Sequence, residues 1–67
     1  MEITINQRHY EFRSDCSVAQ MLDKIISEEP KGVAVAINQN IIQKSHWQSH
    51  FLKDGDQVIL IKATQGG

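Results

Sequence analysis

Ser17-Val18-Ala19-Gln20-Met21-Leu22-Asp23-Lys24-Ile25-Ile26 decides the fold, because Val18, Met21, Leu22, Ile25 and Ile26 recur at i, i+3, i+4, i+7 and i+8. That spacing paints one apolar stripe on a helix and leaves Gln20, Asp23, Lys24 and Ser27 on the opposite side. Ser17 with Gln20 three residues on forms a capping box, each side chain satisfying an orphan N–H at the helix start, so the helix is predicted to begin at Val18. Glu28-Glu29-Pro30-Lys31-Gly32 ends it: the residue before proline is driven out of the α region, and glycine punctuates. A helix with one apolar stripe needs one apolar surface to lie on.

The flanking segments supply that surface, because outside this helix the period switches to two. Ile3 and Ile5 alternate with Glu2, Thr4 and Asn6, and Tyr10 and Phe12 alternate with His9, Glu11 and Arg13, around the polar break Asn6-Gln7-Arg8. This is a hairpin, with Tyr10 and Phe12 read as core. On the other side, Val33-Ala34-Val35-Ala36-Ile37-Asn38 alternates large with small, so one face fills a core and the other stays low in relief. Gln39-Asn40 is expected to turn the chain into a short Ile41-Ile42 strand. Ser45 is expected to cap one turn around His46-Trp47-Gln48, ending near His50-Phe51-Leu52 with Trp47 as an apolar plug. Asp54-Gly55-Asp56 is a turn signal that launches the last strand, Gln57 to Ala63. The order β-β-α-β-β-β implies an α+β fold, a mixed sheet of four to five strands with one main helix packed on one face and the last strand beside the first. Ile3, Ile5, Val18, Leu22, Ile25, Val35, Ile37, Val58 and Leu60 are expected to be buried together.

Sixty-seven residues make one domain, too small for a roomy internal active site. Seven Lys+Arg against eight Asp+Glu give a net charge of −1 with no basic run, so nucleic-acid and membrane-surface binding have no electrostatic support. The start lacks the basic and apolar regions of a leader, and no apolar run is long enough to span a bilayer, so a cytoplasmic protein is expected. With Cys16 as its one cysteine, the chain has no internal disulfide. Cys16 reads as packing, although its place near a helix start would favour the thiolate. His46 and His50 share a helical face but find no Cys-x-x-Cys or further ligand in the pattern, and read as surface residues.

The end of the chain carries the functional signal. Residues 1–63 are read as the folded domain and residues 64–67, Thr64-Gln65-Gly66-Gly67, as a flexible tail. Two glycines offer no side chain to obstruct a narrow channel, and a β-branched strand feeds directly into them. A frayed terminus is the alternative. On the last strand Val58 and Leu60 point one way, so Ile59 and Ile61 point the other. If the helix covers the first pair, Ile59 and Ile61 face outward with Ala34 and Ala36, a flat apolar patch leading toward the diglycine.

Val35-Ala36-Ile37-Asn38 followed by Ile41, then Trp47 and His50, Asp54-Gly55-Asp56 with Val58, and Gly66-Gly67 together resemble the ThiS family of sulfur carriers, with the ubiquitin-like β-grasp fold. The likeness covers nearly the whole chain. Gln43-Lys44 stands where that family often has Pro-Arg, and the first hairpin lacks an Asn-Gly turn. The resemblance implies that the Gly67 carboxylate is adenylated by a ubiquitin-activating-type (ThiF-type) adenylyltransferase that uses ATP. It implies conversion to a thiocarboxylate with sulfur from a persulfide enzyme, and docking on a thiazole synthase (ThiG-type). It further implies that Gly66 and Gln65 form the threaded tail, and that the carrier binds no cofactor and performs no catalysis. The small-subunit carrier of molybdopterin synthase uses the same tail chemistry, and a non-covalent β-grasp binding module with an incidental diglycine is the alternative of a different class.

Overall fold

Two hairpins flank a central strand drawn from the far end of the chain. The computed structural model describes residues 1–26 and 32–62. In it, β1 (Glu2–Ile5) and β2 (Arg8–Glu11) form the first hairpin, α1 (Val18–Ile25) follows, β3 (Val33–Ile37) and β4 (Asn40–Ile42) form the second, and β5 (Gln57–Lys62) enters last. The sheet order is β2-β1-β5-β3-β4, with β5 parallel to β1 and antiparallel to β3. The mixed sheet and the last strand beside the first are as expected.

Both hairpins close on an Asn-Gln pair. Asn6 and Gln7 have φ of 50° and 70°, Asn38 and Gln39 of 51° and 74°, and the flanking partners are Ile5↔Arg8 and Ile37↔Asn40. Two successive positive φ angles are those of a type I′ turn, whose twist matches the strands it joins. The second turn therefore falls on Asn38-Gln39 rather than Gln39-Asn40, and Arg8 already belongs to β2. Asparagine tolerates the left-handed region through its short amide, and here each amide also reaches β5. Asn6 Nδ2 donates to the Leu60 carbonyl (3.3 Å) and its Oδ1 accepts from the Leu60 N–H (2.9 Å). Asn38 Oδ1 accepts from the Gln57 N–H, and its Nδ2 donates to Asp56 Oδ1, both at 3.0 Å. Glutamine has no such compensation at the second turn position.

The helix starts as the capping box requires, with the Gln20 N–H donating to Ser17 Oγ and the Ser17 N–H donating to Gln20 Oε1. The next donors are met from a distance: the Val18 N–H bonds the His50 carbonyl (2.9 Å) and the Ala19 N–H the Trp47 carbonyl (3.0 Å). α1 ends at Ile25, and Ile26, read from the stripe as helical, is extended at φ −110° and ψ 122° while its N–H still bonds the Leu22 carbonyl. Residues 27–31, with the Pro30 stop, lie outside the described residues. The turn after β4 is a 3-10 helix over Lys44–His46 with Gln43 at the N-cap position and no side-chain cap bond, so Ser45 lies inside it instead of capping it. The turn is tied to the core by Trp47, which is buried and whose indole Nε1 donates to the Ile42 carbonyl (3.0 Å).

Ile3, Ile5, Val18, Leu22, Val35, Ile37 and Val58 are buried together as expected, joined by Phe12, Cys16, Met21, Trp47 and Leu52. Ile25 and Leu60, expected fully inside, are half-buried, as is Tyr10. Ile25 is the last residue of α1, and Leu60 lies past the end of β1, whose pairing with β5 stops at Ile5↔Val58. Leu52 carried no periodic signal in the sequence.

Leu22→Ala should therefore cost about 2–5 kcal/mol by urea denaturation, whereas Leu60→Ala should cost only about 1–2 kcal/mol because less of its surface leaves water on folding. Equal losses would contradict the burial pattern. At the turns, Gln7→Gly and Gln39→Gly should each stabilise by roughly 0.5–1 kcal/mol by relieving left-handed strain. Asn6→Gly and Asn38→Gly keep the turn but lose the bonds to β5, and should each destabilise by about 1 kcal/mol. The same urea midpoints check both pairs.

Candidate functional site

The alternation of β5 divides its side chains between the two faces of the sheet. Val58 is buried and Leu60 half-buried beneath α1, while Ile59 and Ile61 are 45% and 58% exposed on the opposite face. Residues directly opposite in a ladder share a face, and the register sets Ala36 against Ile59 and Ala34 against Ile61. The four residues singled out from the sequence therefore lie together on the outer face. Alanine there keeps the surface flat around the two isoleucines.

The sequence reading missed Ile41, which β4 places opposite Ala36 and which is 69% exposed. A row Ile41-Ala36-Ile59 thus crosses three strands. Ile42 packs against the core, so Ile41 has to face outward; the Ile41-Ile42 pair held this signal once the hairpin register was known. The rest of the same face is polar: Glu2, Thr4, His9 and Glu11 lie over β1 and β2, with His9 Nδ1 3.1 Å from Glu2 Oε2. The apolar part is confined to β5, β3 and β4. An exposed apolar area bordered by polar residues is the usual signature of a docking surface.

β5 directs this surface toward the chain end. Its last pair is Val33↔Lys62; Ala63, Gln65, Gly66 and Gly67, and the division between domain and tail at residues 63 and 64, lie outside the described residues.

The competing candidates do not form a reactive centre. Cys16 is buried, and its Sγ donates to the Ser17 carbonyl (3.4 Å). Burial pushes its thiol pKa up, an effect opposed by Lys24 and reinforced by Asp15, so the thiolate expected from a helix start is disfavoured. The His50 N–H bonds the His46 carbonyl, placing the two histidines on one turn. Among the described residues no group of three or more His, Cys, Asp or Glu could hold a metal ion, and no helix is long and apolar enough to cross a membrane.

Comparison with known proteins gives this geometry its context. The model of the ThiS family matches residues 1–67. A sulfur carrier protein ThiS from Escherichia coli (strain K12) is 31% identical over 67 residues, all of both chains. The crystal structure of a thiamine biosynthesis protein (ThiS) from Geobacter metallireducens superposes with a TM-score of 0.84 at 22% identity, covering all of both chains. A solution structure of a thiamine biosynthesis protein from the same organism gives 0.80 at 22% identity, covering all of this chain and 88% of the other. The two solved structures carry the ubiquitin-like β-grasp fold across to this sheet and helix. With the family model matched from the first residue to the last, the chain belongs to the ThiS family.

Proposed function

We propose that this protein is a sulfur carrier for thiazole formation in thiamine biosynthesis, with Gly67 as the residue that carries the sulfur. The observation that carries this reading is the family match running through Gly66-Gly67, on a fold whose central strand leads toward that end. A carboxylate resists nucleophilic attack. Joining it to AMP, with loss of pyrophosphate from ATP, makes an acyl phosphate whose carbonyl a persulfide sulfur attacks as AMP departs. Reductive cleavage of the resulting S–S bond by a thiol leaves the thiocarboxylate. ATP and the catalytic groups belong to the adenylyltransferase, the persulfide to a separate donor enzyme, and the thiazole synthase receives the sulfur. The carrier contributes a bare glycine backbone, which passes through a narrow channel, and a surface that docks.

That docking surface is the outer apolar face of Ile59, Ile61, Ala34 and Ala36, extended by Ile41. Its position on the strand leading to the tail lets one surface serve activation and delivery in turn. The ThiS family match, with neighbours of that fold named as thiamine biosynthesis proteins, favours the thiamine reading over the molybdopterin one.

Incubation with the adenylyltransferase, ATP and a persulfide donor should raise the intact mass by one oxygen-to-sulfur exchange. Deleting Gly67 should abolish this gain while leaving Tm nearly unchanged, since the last residues of a domain generally contribute little to stability; sulfur transfer from the truncated chain would refute the assignment. Ile59→Asp and Ile61→Asp should fold, yet each should weaken binding to both partners about 10-fold or more, because a charge is forced into an apolar contact. Normal binding by both variants would place the docking surface elsewhere.

A further inference from the structure

The row beside β5 on its β1 side is filled only part of the way. In the ladder between β3 and β5 the Asn38 N–H bonds the Gln57 carbonyl, so Gln57, Ile59 and Ile61 turn their backbone groups toward β3, while Val58, Leu60 and Lys62 turn theirs toward β1. On that side the Thr4 N–H bonds the Asp56 carbonyl (3.0 Å) and the Asn6 N–H bonds the Val58 carbonyl (2.9 Å). β1 then turns back at Asn6-Gln7. The Asn6 side-chain amide takes the next place, meeting both the N–H and the carbonyl of Leu60 as a peptide group of a neighbouring strand would. Lys62 comes next. Its N–H and carbonyl point into the same row, and no partner meets them among the described residues.

We propose that an extended segment of the adenylating enzyme adds to the sheet beside β5 in the row that β1 vacates, making its first bonds to the Lys62 N–H and carbonyl. The occupant is an extended peptide because a donor and an acceptor on one side of one residue, in line with an existing ladder, match backbone groups at strand spacing. Asn6 sets the starting register, since its amide closes Leu60 and leaves Lys62 as the first open position. The added strand also adjoins Ile61, so backbone pairing and contact with the outer apolar face form in a single docking event. This rests on the sulfur-carrier reading and adds to it how the strand leading to Gly67 is held straight during activation.

The test compares Lys62→Pro with Lys62→Ala. Proline removes the N–H that faces the open row and leaves the bonds to β3 intact, because Val33↔Lys62 is a non-hydrogen-bonded pair. Both variants should keep the Tm of the free protein. Adenylation kcat/KM of Lys62→Pro should fall about 10-fold below that of Lys62→Ala, the effect of one lost buried bond. In hydrogen exchange of the unmodified protein, the Lys62 N–H should exchange freely alone and about 10-fold or more slowly when the adenylating enzyme is added without ATP. Equal kcat/KM for the two variants, unchanged exchange in the complex, or concentration-dependent protection of Lys62 in the protein alone, which would assign the edge to a second copy, overturns the proposal. If Lys62→Pro lowers the Tm, the exchange measurement decides. Failure of the unmodified protein to be adenylated overturns the carrier reading itself, an outcome distinct from loss in Lys62→Pro alone.

Discussion

The fold depends on β5 lying between two hairpins that do not otherwise pair. β1 and β3 each bond β5 and not one another, so the sheet is complete only when the last strand in the sequence has entered its middle. Backbone ladders alone do not span its length on the β1 side, and the Asn6 amide makes up the difference. Asn6 holds Leu60 on one side, and Asn38 holds Gln57 and the buried Asp56 on the other. The same Ile-Asn-Gln tripeptide, at residues 5–7 and 37–39, makes both turns and both clamps. Left-handed backbone at these positions is thereby coupled to closure of the sheet.

A sheet with one helix has one covered face, and the composition of the other follows from what it must do. Over β1 and β2 it is polar, as solvent requires. Beyond Gln57, over β5, β3 and β4 it is isoleucine and alanine, which water does not favour and an interface does. The proposed docking surface therefore lies on β5, the strand that precedes the diglycine in sequence, and on its immediate neighbours.

The segment between β4 and β5 has little regular structure, yet it holds the helix start in place. Trp47 and His50 lend carbonyls to the N–H groups of Ala19 and Val18, and the Leu52 N–H returns a bond to the Cys16 carbonyl. Burial of Trp47 and Leu52 anchors these contacts. The same packing makes Cys16 part of the core, where desolvation opposes the thiolate.

Local pattern was enough for the helix with its Ser17–Gln20 capping box, the period-two strands, the inward set from Ile3 to Val58 and the outward pair Ile59 and Ile61, because these depend on spacing along one element. Pairing across elements was not legible in the same way. Asn38-Gln39 rather than Gln39-Asn40 forms the second turn because the register of β3 with β4 chooses it, and no asparagine-glycine signal marks it. Leu60 and Ile25 are half-buried because β1 stops short of Leu60 and α1 ends at Ile25, a matter of where elements end. Ile41 joins the outer face only through its position opposite Ala36, and Leu52 enters the core from a segment without periodicity. Alternation along a strand is a property of the chain; which residue lies opposite, and how far the neighbouring strand reaches, is set by the tertiary structure.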